Sequence, residues 1–186
     1  MNALVCRTLS MSRALPFDTP QPWPVALRPF FEEAFGSWLG RVAAQYQISV
    51  PMLWESSVGT ALPTLGNGGW MLFPALAGPE LERLSKLARL KVDRPKSIQT
   101  PVGWMTNRQH LPSCFRCLVL NDADISAPRW KTEWLDPTAD YCRAHHALLE
   151  TLPVAVLRDS ANFAAALQAI NRYRDDCNYR YPRKAR

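Results

Sequence analysis

Four residues in two spaced pairs constrain this chain more than anything else in it. Cys114-Phe115-Arg116-Cys117 is a Cys-x2-Cys pair, and Cys142-Arg143-Ala144-His145 follows as a Cys-x2-His pair. Three of the five cysteines and two of the three histidines lie between residues 114 and 150. A two-residue spacer lets one tight turn present two donors to a single ion. Two such turns complete a tetrahedron of soft or borderline donors at about 2.0–2.3 Å. The gap between the pairs is slightly longer than the usual zinc-ribbon spacing, and the loop NDADISAP (121–128) absorbs the difference. Structural zinc in finger peptides supplies apparent binding energies of about 10–16 kcal/mol. So short and loop-rich a segment cannot match that by apolar burial. The pairs therefore predict one structural zinc ion on Cys114, Cys117, Cys142 and His145.

Other readings of the same residues fit less well. No apolar core and cleavage site in MNALVCRTLSMSRALPF (1–17) suggest export, so a reducing cytoplasm is expected, where disulfides are disfavoured. Thiol catalysis needs one activated cysteine, a base and an orienting group, whereas these cysteines come in pairs. A catalytic zinc keeps an open position, and here four ligands are on offer. With no phosphate-cradling glycine loop either, no enzyme is expected. His146 adjoins His145 as an alternative ligand, disfavoured by the x2 spacing. Cys6 and Cys177 lack partner spacing and read as ordinary thiols, and His110 as a surface or supporting residue.

The 186 residues suffice for one ordinary domain or two small lobes, with 47% hydrophobic residues to build a core. No run of about 18 apolar residues exists, so no membrane span is expected. A net charge of +6 and a pI near 9.3 lean toward polyanions without requiring them. The bias is concentrated at the C-terminal end, where Arg172, Arg174, Arg180, Arg183, Lys184 and Arg186 face only Asp175 and Asp176. Tyr173, Tyr179 and Tyr181 interleave with these arginines. The stretch reads either as a nucleic-acid contact, with phosphates on the cations and bases stacked on the rings, or as a solvated terminus.

Pro16, Pro20, Pro22 and Pro24 make residues 1–28 an extended surface segment. A helix is expected from Pro29 to Gln47, with Pro29 at the first position, Glu32 and Glu33 in the first turn, and Phe31, Phe35, Trp38, Leu39, Val42 and Tyr46 on one face. A second starts behind Ser49 as N-cap with Val50, Leu53 and Trp54 inward. Residues 59–70 read as a loop. Pro79 opens a third helix with Leu81, Leu84, Leu87 and Ala88 inward and a basic surface and exit through Lys86, Arg89, Lys91, Arg94 and Lys96. Three short helices with a basic third member fit a helix-turn-helix, and equally any small bundle. A last helix follows Ser160 as cap, with Phe163, Leu167 and Ile170 inward. The expected fold class is mainly α with a small zinc-finger lobe. Its parts are an extended segment (1–28), a helix-turn-helix-like lobe (29–112), the zinc-finger lobe (113–158), and a C-terminal helix with basic tail (159–186).

Two blocks resemble the TniQ family of transposition proteins, which includes the TnsD-type target-selecting factors. The first is LRPFFEEAFGSWLGRVAAQYQIS (27–49), through Pro29, Glu33, Ser37, Trp38, Leu39, Arg41 and Ala43. The second is CFRCL with PRWKTEWLDPTADYCRAHHALL, through Cys114, Cys117, Leu118, Trp130, Trp134, Cys142, His145 and Leu149. LERLSKLARL (81–90) loosely resembles the helix between the blocks. Where many relatives carry a second cysteine pair, this chain has ETLP (150–153). It is similar in that respect to the short TniQ proteins of CRISPR-associated transposons.

The resemblance implies a bacterial adaptor that couples a targeting signal to an AAA+ ATPase regulator (TnsC-like), which recruits the transposase. That signal is a target DNA site or a CRISPR effector complex with its guide RNA. Trp130 and Trp134 are then expected to pack beneath the zinc knuckle, and Trp38 in the core. A stand-alone zinc-containing DNA-binding transcriptional regulator is the other function compatible with these residues.

Overall fold

The computed structural model describes residues 21–63, 66–104, 108–119 and 128–180. Among these residues the fold is mixed helical with two small antiparallel sheets. Helices α1 (Phe35–Gln45), α2 (Val50–Val58) and α3 (Gly78–Ala88) come first, then the short α4 (Asp93–Ser97). Strand β1 (His110–Ser113) and the single turn α5 (Phe115–Leu118) precede the hairpin β2 (Tyr141–Cys142) and β3 (Ala147–Leu148). Strand β4 (Glu150–Pro153), the turn α6 (Ala155–Arg158) and the long α7 (Phe163–Arg180) complete the order. β1 pairs with β4, setting Leu111 opposite Leu152 and Ser113 opposite Glu150, and β2 pairs with β3. One apolar core runs from Trp23 to Ile170 and includes the three cysteines of the spaced pairs. Among the described residues no helix is long and apolar enough to cross a membrane.

The first helix starts six residues later than the Pro29 expected from sequence. Its leading N–H groups are taken by distant carbonyls: Ala34 N donates to Trp130 O at 2.8 Å and Phe35 N to Ile98 O at 3.0 Å. With those donors satisfied by tertiary partners, residues 29–34 have no need of the helical ladder. They form a turn, with Glu33 bridged to Lys131. Glu32 and Glu33 therefore do not sit in a helical first turn, and Phe31 is 79% exposed rather than inward. Phe35, Trp38, Leu39 and Val42 are buried as the spacing predicts, and Tyr46 is half-buried.

Ser49 caps α2 as expected, its side chain accepting from Met52 N at 3.2 Å. Pro79 stands in the first turn of α3, whose Leu81, Leu84, Leu87 and Ala88 are buried. The expected loop at 59–70 ends in a 3-10 turn, Gly66–Met71, that packs on α1. Two glycines on one face of α1 permit this approach. A Cβ on Gly36 would lie 2.5 Å from both Trp70 O and Met71 O, and one on Gly40 would lie 2.5 Å from the Trp70 ring.

The last helix is capped by Asn162 rather than Ser160. The Asn162 Oδ1 accepts from Ala165 N at 3.2 Å while its Nδ2 donates to Ile48 O at 3.0 Å. The carbonyl of Ser160 accepts instead from the Trp70 indole at 2.6 Å. Phe163, Ala166 and Ile170 are buried, and Leu167 packs against the core half-buried. The part of the Pro-rich segment that is described has no regular structure but is pinned down. Trp23 N donates to Leu87 O, the Trp38 indole donates to Leu27 O, and the Tyr46 hydroxyl donates to Val25 O while accepting from Val25 N.

Candidate metal centre

Strand β1 delivers the chain to Cys114, the residue that caps α5, and one turn of that helix carries Cys117 back beside it. Leu118 N closes the turn on Cys114 O at 3.1 Å. The second pair sits on the β2–β3 hairpin. Cys142 ends β2, and the reversal that follows places His146 in the left-handed region (φ 48) with its ring toward Tyr141. His145 is thereby turned inward while His146 stays exposed.

The four donors expected from the spacing converge. Their ligand atoms all lie within 4.8 Å of one another. Cys117 Sγ is 3.7 Å from Cys142 Sγ, and His145 Nδ1 is 3.6 Å from Cys114 Sγ, 3.1 Å from Cys117 Sγ and 3.8 Å from Cys142 Sγ. Zinc bond lengths put the edges of a tetrahedral Cys3His site at about 3.8 Å between sulfurs and about 3.6 Å between sulfur and nitrogen. The 3.7 Å sulfur–sulfur distance and the 3.6 and 3.8 Å sulfur–nitrogen distances sit near those edges, while the 3.1 Å Cys117–His145 contact is shorter. A disulfide needs about 2.05 Å, so the cysteines are free thiols. The set is therefore compatible with a bound metal such as zinc, held by Cys114, Cys117, Cys142 and His145.

Burial, and then the charge and hydrogen bonding of its sulfur neighbours, pushes the Cys117 thiol far above its ordinary range. Cys114 is raised in the same direction, again chiefly by burial. Cys117 and Cys114, buried side by side, are disfavoured as thiolates unless a cation compensates them. A bound divalent ion would supply that compensation. It would also draw β1, α5 and the hairpin to one point.

Among the described residues, the remaining expected site residues do not join this cluster. His110 is exposed on β1. Arg172 is exposed on α7. Arg174 turns inward: its guanidinium lies 3.5 Å from the Phe115 ring centroid and pairs with Glu150 at 3.2 Å. Phe115 stands between the two cysteines of the first pair, so α7 is fastened to the candidate metal turn. Tyr173 packs half-buried against the core, its phenol raised above the ordinary value chiefly by its hydrogen bond to Cys177. The side chains of Tyr179 and Arg180, together with Tyr181, Arg183, Lys184, Arg186, Cys6 and most of the 121–128 loop, lie outside the described residues.

A second polar constellation escaped the reading of the sequence. Glu33 is fully buried and receives a two-pronged Arg41 guanidinium, with both N···O distances 2.8 Å. The Ser37 hydroxyl donates to Glu33 Oε1 at 2.9 Å and accepts from Trp130 N at 2.9 Å, and Phe30 N completes the carboxylate's partners at 3.1 Å. Glu33, Ser37 and Arg41 recur at four-residue intervals. That spacing was the available signal, masked by the expectation that Glu33 decorates a helix start.

Compared with known proteins, the chain matches no family model, no curated protein and no solved structure.

Proposed function

We propose that this protein is a non-enzymatic adaptor of the TniQ type. In this reading it links a targeting complex or a DNA site to an AAA+ ATPase regulator of transposition, in the bacterial cytoplasm. The observation that carries the reading is that the two resembling blocks meet. Ser37, Glu33 and Ala34 of the first block bond to Trp130 and Lys131 of the second. The block residues thus form one framework rather than two scattered likenesses, and Glu33, Ser37, Trp38, Leu39 and Ala43 are all fully buried in it.

In the same reading Cys114, Cys117, Cys142 and His145 hold one structural zinc as a knuckle, beside a helix-turn-helix-like arrangement of α1 to α3. Four protein donors fill a tetrahedron, so the ion offers no position to a substrate. Its role is to hold a binding face rigid.

The test is association. The protein, zinc-loaded, is mixed with a TnsC-like AAA+ ATPase and ATP, and passed over a sizing column. Co-elution is expected, and its loss in a Glu33→Gln/Arg41→Ala variant that still binds zinc ties it to the framework. Failure to co-elute, together with a nanomolar-class preference for one duplex sequence that survives rising salt, would overturn the adaptor in favour of a stand-alone DNA-binding regulator.

A further inference from the structure

The turn before α1 presents one aromatic ring to solvent from an unusually well-fixed backbone. Phe31 is 79% exposed, yet its neighbours on both sides are tied down. Pro29 O accepts from Arg94 Nη2 at 2.7 Å, Glu32 pairs with Arg129 at 2.7 Å, and Glu33 is locked in its buried ion pair. The Phe30 ring, half-buried beneath, lies 3.8 Å from the Arg129 guanidinium and 4.8 Å from that of Arg41. The turn is therefore held by five or more tertiary contacts, none of which uses the Phe31 ring for burial.

One cation stands beside that ring. Arg94 stands 5.6 Å from its centroid. Lys91 and Lys96 flank Arg94 along the chain and are exposed, with Asp93 the one acid among them. Among the described residues Lys91, Arg94 and Lys96 have no carboxylate partner within ion-pair distance. A solvent-facing ring on a fixed backbone is suited to stacking, because only its two χ angles remain to be ordered. Arg94 beside the ring, with the exposed Lys91 and Lys96 near it in sequence, favours a polyanion.

From these two features together, the geometry points to a site for an unpaired nucleobase on Phe31, with the flanking strand's phosphates on Lys91, Arg94 and Lys96. The occupant is a single-stranded nucleic acid, as sequence-tolerant stacking platforms on basic surfaces bind. The surface stands apart from the adaptor reading, since the experiment uses the protein alone with no ATPase.

Fluorescence anisotropy with a fluorescein-labelled oligodeoxythymidylate strand, at low salt and with zinc-loaded protein, tests it. Phe31→Ala is expected to weaken binding about 5- to 100-fold while leaving the slope of log K against log salt unchanged. Phe31→Trp is expected to retain or tighten binding, and Lys91→Glu/Lys96→Glu to flatten the slope. Both Phe31 variants are expected to melt like the parent, because the ring is buried against nothing. Equal affinity of Phe31→Ala and the parent would overturn the proposal. So would polyglutamate competing as well as the oligonucleotide at equal charge, which would mark the surface as one for acidic protein.

Discussion

Glu33 shows how much one residue's surroundings decide. A carboxylate at 0% exposure is costly unless its charge and lone pairs are answered, and here Arg41, Ser37 and the Phe30 amide answer them. Removing only the cation strands the charge, so Arg41→Ala is expected to cost about 3–5 kcal/mol in urea denaturation. Arg41→Lys cannot restore the two-pronged geometry and is expected to recover only part. Glu33→Met/Arg41→Leu is expected to be less damaging than Arg41→Ala alone, which distinguishes a stranded charge from lost packing.

Glu32, one residue away, behaves differently because it is at the surface. Burial raises its carboxyl, but the Arg129 hydrogen bond and charge, with Lys131, outweigh that and hold it below its ordinary 4.5. A carboxyl lowered on folding stabilises above its unfolded value and loses that contribution as pH falls through the folded one. Glu32→Gln is therefore expected to leave stability near pH 7 lower and to flatten the acid limb below about pH 4.5, as measured by denaturation midpoints across pH.

At the scale of elements, the meeting of α1 with the Gly66–Met71 turn sets propensity against packing. Alanine is a better helix former than glycine by about 0.5–1 kcal/mol, so propensity alone predicts that Gly36→Ala stabilises. The two carbonyl oxygens 2.5 Å from the added carbon belong to backbone that has little room to retreat. Overpacking of this kind costs about 1–3 kcal/mol, and a lowered melting temperature is the expected outcome. Gly78→Ala in the first turn of α3 meets nothing within 4 Å and is the control. It is expected to be neutral or slightly stabilising. The same contest between local and tertiary preference explains the late start of α1, where the carbonyls of Trp130 and Ile98 capture its first amides. It also explains why Asn162, tied to Ile48, caps α7 in place of Ser160.

At the scale of the molecule, the candidate metal centre ties the β2–β3 hairpin to α5, beside the β1–β4 pairing that brings these segments together. β2 and β3 are two residues each, and an isolated ladder so short is not stable in water. Metal analysis is expected to find one zinc per chain in reduced protein. Cys117→Ser is expected to abolish that stoichiometry and unfold residues 114–150 while part of the helical signal in circular dichroism persists, and an unchanged melting profile would refute the dependence. Arg174 on Phe115 carries the effect to α7, so protease sensitivity of that helix is expected to rise in the same variant.

The sequence by itself picked out the four candidate donors, because two-residue spacing within each pair is a local property of a tight turn, while the convergence of the two pairs is tertiary. It likewise determined α2 and α3, whose caps and apolar spacing act within one helix. The long-range amides that set the start of α1, the burial of Glu33 and the exposure of Phe31 depend on segments roughly 60 to 100 residues away. Only tertiary structure decided those. A hydrogen-bonding partner supplied by a distant segment leaves no mark in the local pattern of either one.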